Sequence, residues 1–310
     1  MKKKIIILVT IMLLVTTGCT KTLSDGDNNK VINEETGQSL TSNILCLPED
    51  EKLLETYKEY EEYMDVDLDS LSTCENMKIY ESESYNGLWV QFFVRPLAWC
   101  IIKLGEFVGN YGLSVMIVGL LIRLIILPLS AKSVKQQDNM RKAQPELERL
   151  EVKYKDKTDQ DSMMKKSQEM LLIYKKYNIN PMSSCLVSFI QLPLFFAFLE
   201  AINRVPAIFE NNFWKFQLGT TPLVGIRNGN YYYFILIILI VVFTALSFKN
   251  SMNSIVGSSE QMKQTKFMMI FMTVFIGIAS IQLPSAIALY WVVTNAFNVV
   301  QTLILKKRGS

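Results

Sequence analysis

The 310-residue chain contains no histidine. That absence removes Ser–His–Asp and Cys–His catalysis, HExxH zinc sites and histidine proton relays together. Its five cysteines include no CxxC pair, so zinc ribbons and thioredoxin-like redox motifs are excluded too. There is no GxSxG, and no paired aspartates lie inside an apolar run, which speaks against an intramembrane enzyme. Charged residues make up only 20% of the chain and hydrophobic ones 50%. A soluble domain could have that composition but not its distribution. Long apolar runs lie near 113–131, 182–202, 231–248 and 265–305, the last long enough to cross a bilayer twice. A span needs about 20 mostly apolar residues. The expected class is therefore a polytopic, all-α integral membrane protein.

The chain opens MKKKIIILVTIMLLVTTGCT: three lysines, a short apolar run, then small residues before Cys19. This is the order of a signal peptide, expected over residues 1–18. The Gly18–Cys19 junction resembles a bacterial lipobox, with Thr16 where leucine is usual, so Cys19 is the expected lipidation site. Ordinary cleavage or an uncleaved anchor are the alternatives. Each places residues 19–90 outside the cytoplasm, unless an uncleaved anchor is inverted. Between Cys19 and Tyr111 stand 18 Asp/Glu against 7 Lys/Arg. The beginning of this acidic segment (KTLSDGDNNK, NEETGQS) has the composition of disordered sequence. From Glu49 to Met64 a helix is expected, with Leu53, Leu54, Tyr57 and Tyr60 or Met64 on one side. Cys46 and Cys74 could pair in an oxidising compartment; the plainer expectation is two free thiols in a loosely ordered tether.

Five transmembrane helices are expected at about 112–131, 182–202, 231–248, 266–283 and 285–305, within a core of residues 91–310. Residues 132–181 carry 12 Lys/Arg and the tail KKRGS three in five, whereas 203–230 carries three in 28. The positive-inside rule then puts the N-terminal segment and 203–230 outside, and the C-terminus in the cytoplasm of a bacterial plasma membrane. Phe213–Trp214 and Tyr231–Tyr233 fit the outer interface, and Pro284 marks a tight turn between the last two spans. Residues 91–109 are apolar but interrupted by Arg95, Pro96, Lys103 and Glu106, so they are expected to lie in the interface. Were they to span, the 12 basic residues would end up outside. Residues 132–180 read as a cytoplasmic helical hairpin: Leu147, Leu150 and Tyr154 recur at helical spacing, as do Met163, Met170, Leu171, Tyr174 and Tyr177. The break KDKTDQD supplies the turn, with Asp161 as N-cap. Its mixed charge suits a solvated, membrane-skirting hairpin as well as one meeting lipid headgroups, ribosomal RNA or a targeting receptor.

The strongest chemical signal is Arg123 in GLSVMIVGLLIRLIILPLS, roughly 12–15 Å from either surface at 1.5 Å per residue. A guanidinium at that depth costs on the order of 3 kcal/mol. It must face a wet cavity or an anionic partner. The one acid in a predicted span, Glu200, lies at a helix end and matches poorly in depth, so a hydrated cavity is favoured. Gln191 is mid-span, and Tyr290, Thr294, Asn298 and Gln301 form one continuous face beside Trp291 and Asn295. Such residues more often only bond neighbouring helices; their coincidence with Arg123 raises the functional reading. A small anion channel or transporter binding its ion through Arg123 is the alternative, though no inverted repeat is visible to favour it.

The runs GNYGLSVMIVGLLIRLIILPLSAKSVKQQDNMRKAQPELERLEVKYK, IYKKYNINPMSSCLVSFIQLPLFFAFLEAI and LPSAIALYWVVTNAFNVVQTLIL resemble, in order and spacing, the core helices and hairpin of the YidC membrane protein insertases. The resemblance covers roughly 92–305, and the short outer loop and lipoprotein-like signal look like the Gram-positive branch. It implies a five-helix bundle around a hydrophilic groove, open to cytoplasm and lipid and closed outside. Arg123, Gln191, Tyr290 and Trp291 would line that groove. The groove would accept the short hydrophilic outer part of a substrate while its apolar segment slides into lipid. The implied partners are nascent membrane proteins, membrane lipids and the Sec translocon, ribosome or signal recognition machinery, with no DNA. No catalytic residue, metal or cofactor is expected. Three features depart from the pattern: Gly119 stands where threonine is frequent, Val187 where proline is common, and the acidic segment is long.

Overall fold

The computed structural model describes residues 20–80, 87–157, 159–180, 193–252 and 259–309. The expected signal peptide, Cys19, Gln191 and the first part of the expected span 182–202 lie outside the described residues. In chain order the helices are α1 (Glu51–Glu59), α2 (Gly87–Val108), α3 (Tyr111–Lys153), α4 (Gln160–Lys176), α5 (Pro193–Asn203), α6 (Pro222–Arg227), α7 (Tyr233–Met252), α8 (Ser259–Gln282) and α9 (Ser285–Gly309). A two-stranded hairpin, β1 (Asn212–Phe213) and β2 (Phe216–Gln217), precedes α6. Among the described residues, α2, the Tyr111–Lys132 part of α3 and the Ser285–Ile304 part of α9 are long and apolar enough to cross a membrane. The apolar helices Pro193–Asn203, Tyr233–Lys249 and Lys266–Gln282 are shorter; the first overlaps the second part of the expected span 182–202, and the others overlap 231–248 and 266–283. Leu283 and Pro284 alone separate α8 from α9, as the tight-turn expectation required.

The chain forms two compact units. One comprises the described parts of 1–121, 191–238 and 279–293. Here the acidic segment departs from expectation: 20–80 is folded, not a loose tether. Leu23, Val31 and Leu40 exchange main-chain hydrogen bonds of 2.8–2.9 Å, bridging Thr22 to Thr41 and Ile32 to Ser39. Their side chains join Ile44, Leu53, Tyr57, Leu68 and Leu71 in a core of their own. These apolar residues are isolated among polar neighbours, so local composition reads as disorder while the assembled fold buries them. α1 is shorter than the expected helix. Asp50 caps it by accepting from the Leu53 N–H at 2.8 Å, and a 3₁₀ turn over Glu61–Tyr63 follows it. Cys46 and Cys74 are joined as a disulfide across a sequence separation of 28, which overturns the free-thiol expectation. The loops bring the two cysteines together beside the Leu47–Thr73 bridge, a pairing that spacing alone does not specify.

The folded segment is fastened to the helices of the same unit. Leu45 N–H donates to Arg204 O at 2.8 Å and Thr41 Oγ1 to Asn203 O at 3.0 Å. Glu49 and Asp50 N–H both donate to Glu210 Oε1, at 3.0 and 3.2 Å. Burial pushes the Glu210 carboxyl above its usual range, against the pull of those N–H bonds. On α2, Lys103 Nζ donates to Glu75 O at 2.6 Å and Arg95 Nε to Lys78 O at 3.2 Å. Gly37, at φ 70°, lies under the Val224 side chain, where any Cβ would collide. α2 ends at Gly109 in the left-handed conformation and packs on α3 where Gly105 admits the Tyr111 ring. The first N–H groups of α9 are met from the 203–230 loop: Ser285 N–H donates to Thr220 O and Ala286 N–H to Leu218 O.

The second unit comprises the described parts of 122–190, 239–278 and 294–310. In it, α4 runs antiparallel to the end of α3. Lys153 and Tyr154 both engage Glu169, at 2.7 and 2.9 Å, and Lys176 and Tyr177 both engage Glu146, at 2.5 and 2.8 Å. Ala143, Leu150, Tyr154 and Ile179 are buried. Asp159, not Asp161, is the N-cap of α4: its carboxylate accepts from Ser162 N–H at 2.9 Å, and Asp161 falls in the first turn. The cap must precede the third helical N–H that it accepts, and the helix starts at Gln160.

The Lys176 and Tyr177 donors hold the Glu146 carboxyl below its usual range, and the Lys153 and Tyr154 donors do the same for Glu169. The same bonds raise Lys176 and Lys153. A lowered carboxylate stabilises above the unfolded value of about 4.3, and that support is lost as pH falls through the folded value. A raised lysine stabilises below about 10.4 and loses its support above it. Helicity of an isolated 132–180 peptide is thus expected to be flat between these limits and to drop on either side. A circular-dichroism titration showing no decline below pH 4 would contradict the role of the two glutamates.

Candidate functional site

Arg123 lies in the middle of the apolar Tyr111–Lys132 stretch of α3 and is half-buried. It belongs to the second unit, as do Thr294, Asn295 and Asn298 on α9. Thr294 is buried. Asn295 Nδ2 donates to Thr244 Oγ1 at 3.3 Å and Asn298 Nδ2 to Ser247 Oγ at 2.6 Å, both on α7. So part of the polar face read from the sequence meets a neighbouring helix, and α7 is less uniformly apolar than its composition suggests. Bonds of this kind between membrane helices contribute about 0.6 kcal/mol on average. They align α7 with α9, and the facing walls of the two helices carry Asn295, Asn298, Thr244 and Ser247. Lys249 in the last turn of α7 sits at its negative dipole end.

Tyr290 and Trp291 belong to the first unit. The rings of Tyr290 and Phe198 stack at 4.2 Å, and those of Trp291 and Phe195 at 5.8 Å and 11°. Phe195 is also 6.4 Å from Tyr290. The aromatic pair of the LYW motif is therefore held by the aromatic side of α5, with Tyr290 buried and Trp291 half-buried. Contacts of this geometry add about 0.5–1.5 kcal/mol beyond burial and fix ring orientation. Gln191, expected beside them, lies outside the described residues.

A cluster that sequence reasoning missed sits at the end of α5. Arg204 and Glu200 are 1% and 4% exposed and form an ion pair of 2.9 Å. The Trp89 indole N–H donates to the other Glu200 oxygen at 2.9 Å, and Arg204 Nε donates to Asn43 O at 2.5 Å. Arg95, also 1% exposed, belongs to the same unit and donates to Lys78 O. The signal was present in the sequence as Glu and Arg at i, i+4, the spacing of a helical ion pair. Arg204 instead looks like one of three loop charges when residues are counted. Among the described residues no group of His, Cys, Asp and Glu is arranged to hold a metal ion.

The family described as 60Kd inner membrane protein matches residues 103–310. The chain is similar to a membrane protein insertase YidC of Oceanobacillus iheyensis, 36% identical over 239 residues, covering 76% of this chain and 91% of that protein. It is similar to the membrane protein insertase YidC 2 of Listeria innocua, 37% identical over 220 residues, covering 71% and 72% of the two chains. The membrane protein insertase MisCA of Bacillus subtilis is 35% identical over 237 residues, covering 76% and 86%. A solved chain described as an active YidC insertase with its first transmembrane domain resolved aligns at 24% identity with a TM-score of 0.49. That alignment covers 69% of this chain and 46% of the solved one, so this chain spans less than half of that protein. The match to the family begins after the folded acidic segment ends.

Proposed function

The chain belongs to the 60Kd inner membrane protein family, that of the YidC insertases, and from this we propose that it inserts and helps to fold integral membrane proteins. The observation that carries the mechanism is Arg123, a permanent charge in the middle of an apolar stretch of 22 residues. In this reading Arg123 attracts the short hydrophilic outer part of a substrate into a groove, and the candidate lining residues of its own unit are Thr294, Asn295 and Asn298. A polar lining replaces lost hydration and shortens the apolar barrier, while the substrate's hydrophobic segment passes into lipid along apolar helices. No bond is made or broken. The machinery would act on nascent membrane proteins in contact with lipid, alone or beside the Sec translocon, with ribosome or signal recognition contacts on the basic side.

The proposed topology has five spans: the first part of α3, α5 with the residues before it, α7, α8 and α9. The acidic segment is outside, and the α3–α4 hairpin and C-terminus are in the cytoplasm. Two observations support it. A disulfide persists in oxidising compartments, which suits an external 20–80. The middle of α2 meets main-chain carbonyls of Glu75 and Lys78 in the acidic segment. Hydrocarbon could not cover that polar main chain, so α2 fits the interface although its length would allow it to cross. Cys19, where lipidated, would anchor the start of the folded segment.

The test is depletion of the chain in cells lacking other family members, followed by insertion of a small single-span protein with a short acidic outer tail. Accumulation of uninserted substrate is expected; normal insertion would sink the reading.

A further inference from the structure

Two sets of contacts between residues 20–80 and the helices flank the disulfide, and within the loop it closes Glu49 and Asp50 also bond Glu210. Residues 41–45 hold the end of α5: Thr41 through Asn203 O, Asn43 O through the buried Arg204 guanidinium, and Leu45 through Arg204 O. Residues 75–78 hold α2: Glu75 O through Lys103 and Lys78 O through the buried Arg95. Cys46 follows the first set by one residue, and Cys74 precedes the second by one. Both cysteines are 0% exposed. Besides the disulfide, the two attachment points are joined by the Leu47 N–H bond to Ser72 O at 2.9 Å, and α2 meets α5 directly through Trp89 and Glu200.

We propose that the Cys46–Cys74 disulfide is a brace that ties α2 to the end of α5, so that the relative placement of these two helices depends on its integrity. All five contacts end on main-chain carbonyls, which suits a mechanical attachment: their geometry depends on where the backbone runs, and the disulfide fixes that backbone at both points. Arg95 and Arg204 are positioning residues in this device. Both are buried, Arg204 against Glu200, and undocking takes from each its bond to a main-chain carbonyl of the segment. The family match starts at residue 103, so both cysteines precede the matched region. The inference takes the external placement of 20–80 from the proposed topology and is independent of the insertase reading.

The experiment is hydrogen exchange on the purified full chain in lipid nanodiscs, comparing wild type, Cys46→Ala/Cys74→Ala, and wild type treated with a dithiol reductant. In the last, the S–S bond breaks, two thiols form, and the reductant is oxidised to its cyclic disulfide. Opening the bond is expected to speed exchange several-fold at amides 203–210 and along α2, with 140–176 unchanged. A second variant, Thr41→Val, removes one contact and leaves the bond intact; it is expected to speed exchange near 203–205 but not along α2. It is also expected to hasten reduction, because the buried sulfurs become reachable only when the segment lifts. Unchanged exchange at both helix ends after the bond is opened overturns the proposal, whatever happens within 20–80. So does Thr41→Val loosening α2 as much as α5, since an intact bond would then insulate nothing. Failure of insertion by the oxidised wild type would count against the function and leave the brace standing.

Discussion

Arg123→Ala is expected to slow insertion of a single-span substrate with one or two acidic residues in its outer tail by about a hundredfold. An aspartate at the centre of a membrane helix costs about 3 kcal/mol. A neighbouring guanidinium in a partly wet, low-dielectric site can offset a cost of that size, since two unit charges at 4 Å interact by about 4 kcal/mol at an effective dielectric of 20. Loss of about 3 kcal/mol from the barrier side corresponds to about two decades of rate. Arg123→Lys keeps the charge but not the planar fork, and recovery of most of the rate is expected if attraction matters more than bidentate geometry. The measurement is the rate at which the outer tail becomes protected in reconstituted vesicles. The same variant acting on a substrate with a neutral tail provides the control, and there the expected loss is small. Full activity of Arg123→Ala on acidic tails would remove the charge mechanism and leave the family fold.

The second large effect is structural. Arg204→Ala leaves the Glu200 carboxylate buried with the Trp89 N–H and frees Asn43 O, and breaking such a pair costs about 3–5 kcal/mol. Glu200→Ala should cost a similar amount by stranding Arg204. Replacing both at once, Glu200→Leu with Arg204→Met, should recover much of the loss, because a buried ion pair and a packed apolar pair of like volume are close in stability. Thermal unfolding in detergent, read by tryptophan fluorescence near Trp89, measures all three. If Arg204→Ala costs no more than the ~1 kcal/mol of a surface pair, then burial of this cluster has been overvalued.

The membrane helices were legible because hydrophobic runs of span length have few alternatives, and Pro284 marked the α8–α9 turn because proline cannot continue the ladder. The pairing of α3 with α4 followed from apolar residues at helical spacing, but its cap was misplaced by two residues, since Asp159 and Asp161 are equally good acceptors in sequence. Residues 20–80 were opaque for a different reason. Leu23, Val31, Leu40 and Ile44 are single apolar residues in polar surroundings, and their core forms only by contacts distant in the chain. For the candidate site, the sequence supplies polar residues without what they face. Nothing in the sequence separates a polar side chain that faces a cavity from one that binds the next helix, and Asn295 and Asn298 turn towards Thr244 and Ser247.

The bond from Arg204 to Asn43 joins residues 161 apart. A ribosome adding about 5–20 residues per second needs about 8–30 s to travel that distance. For that interval the acidic segment has no α5 to hold. The 28-residue separation closed by Cys46 and Cys74 is complete long before Arg204 is synthesised. With the external placement proposed above, the segment can become oxidised and compact while the rest of the chain is still being made, and the late-arriving end of α5 is received by a part of the protein that is already finished.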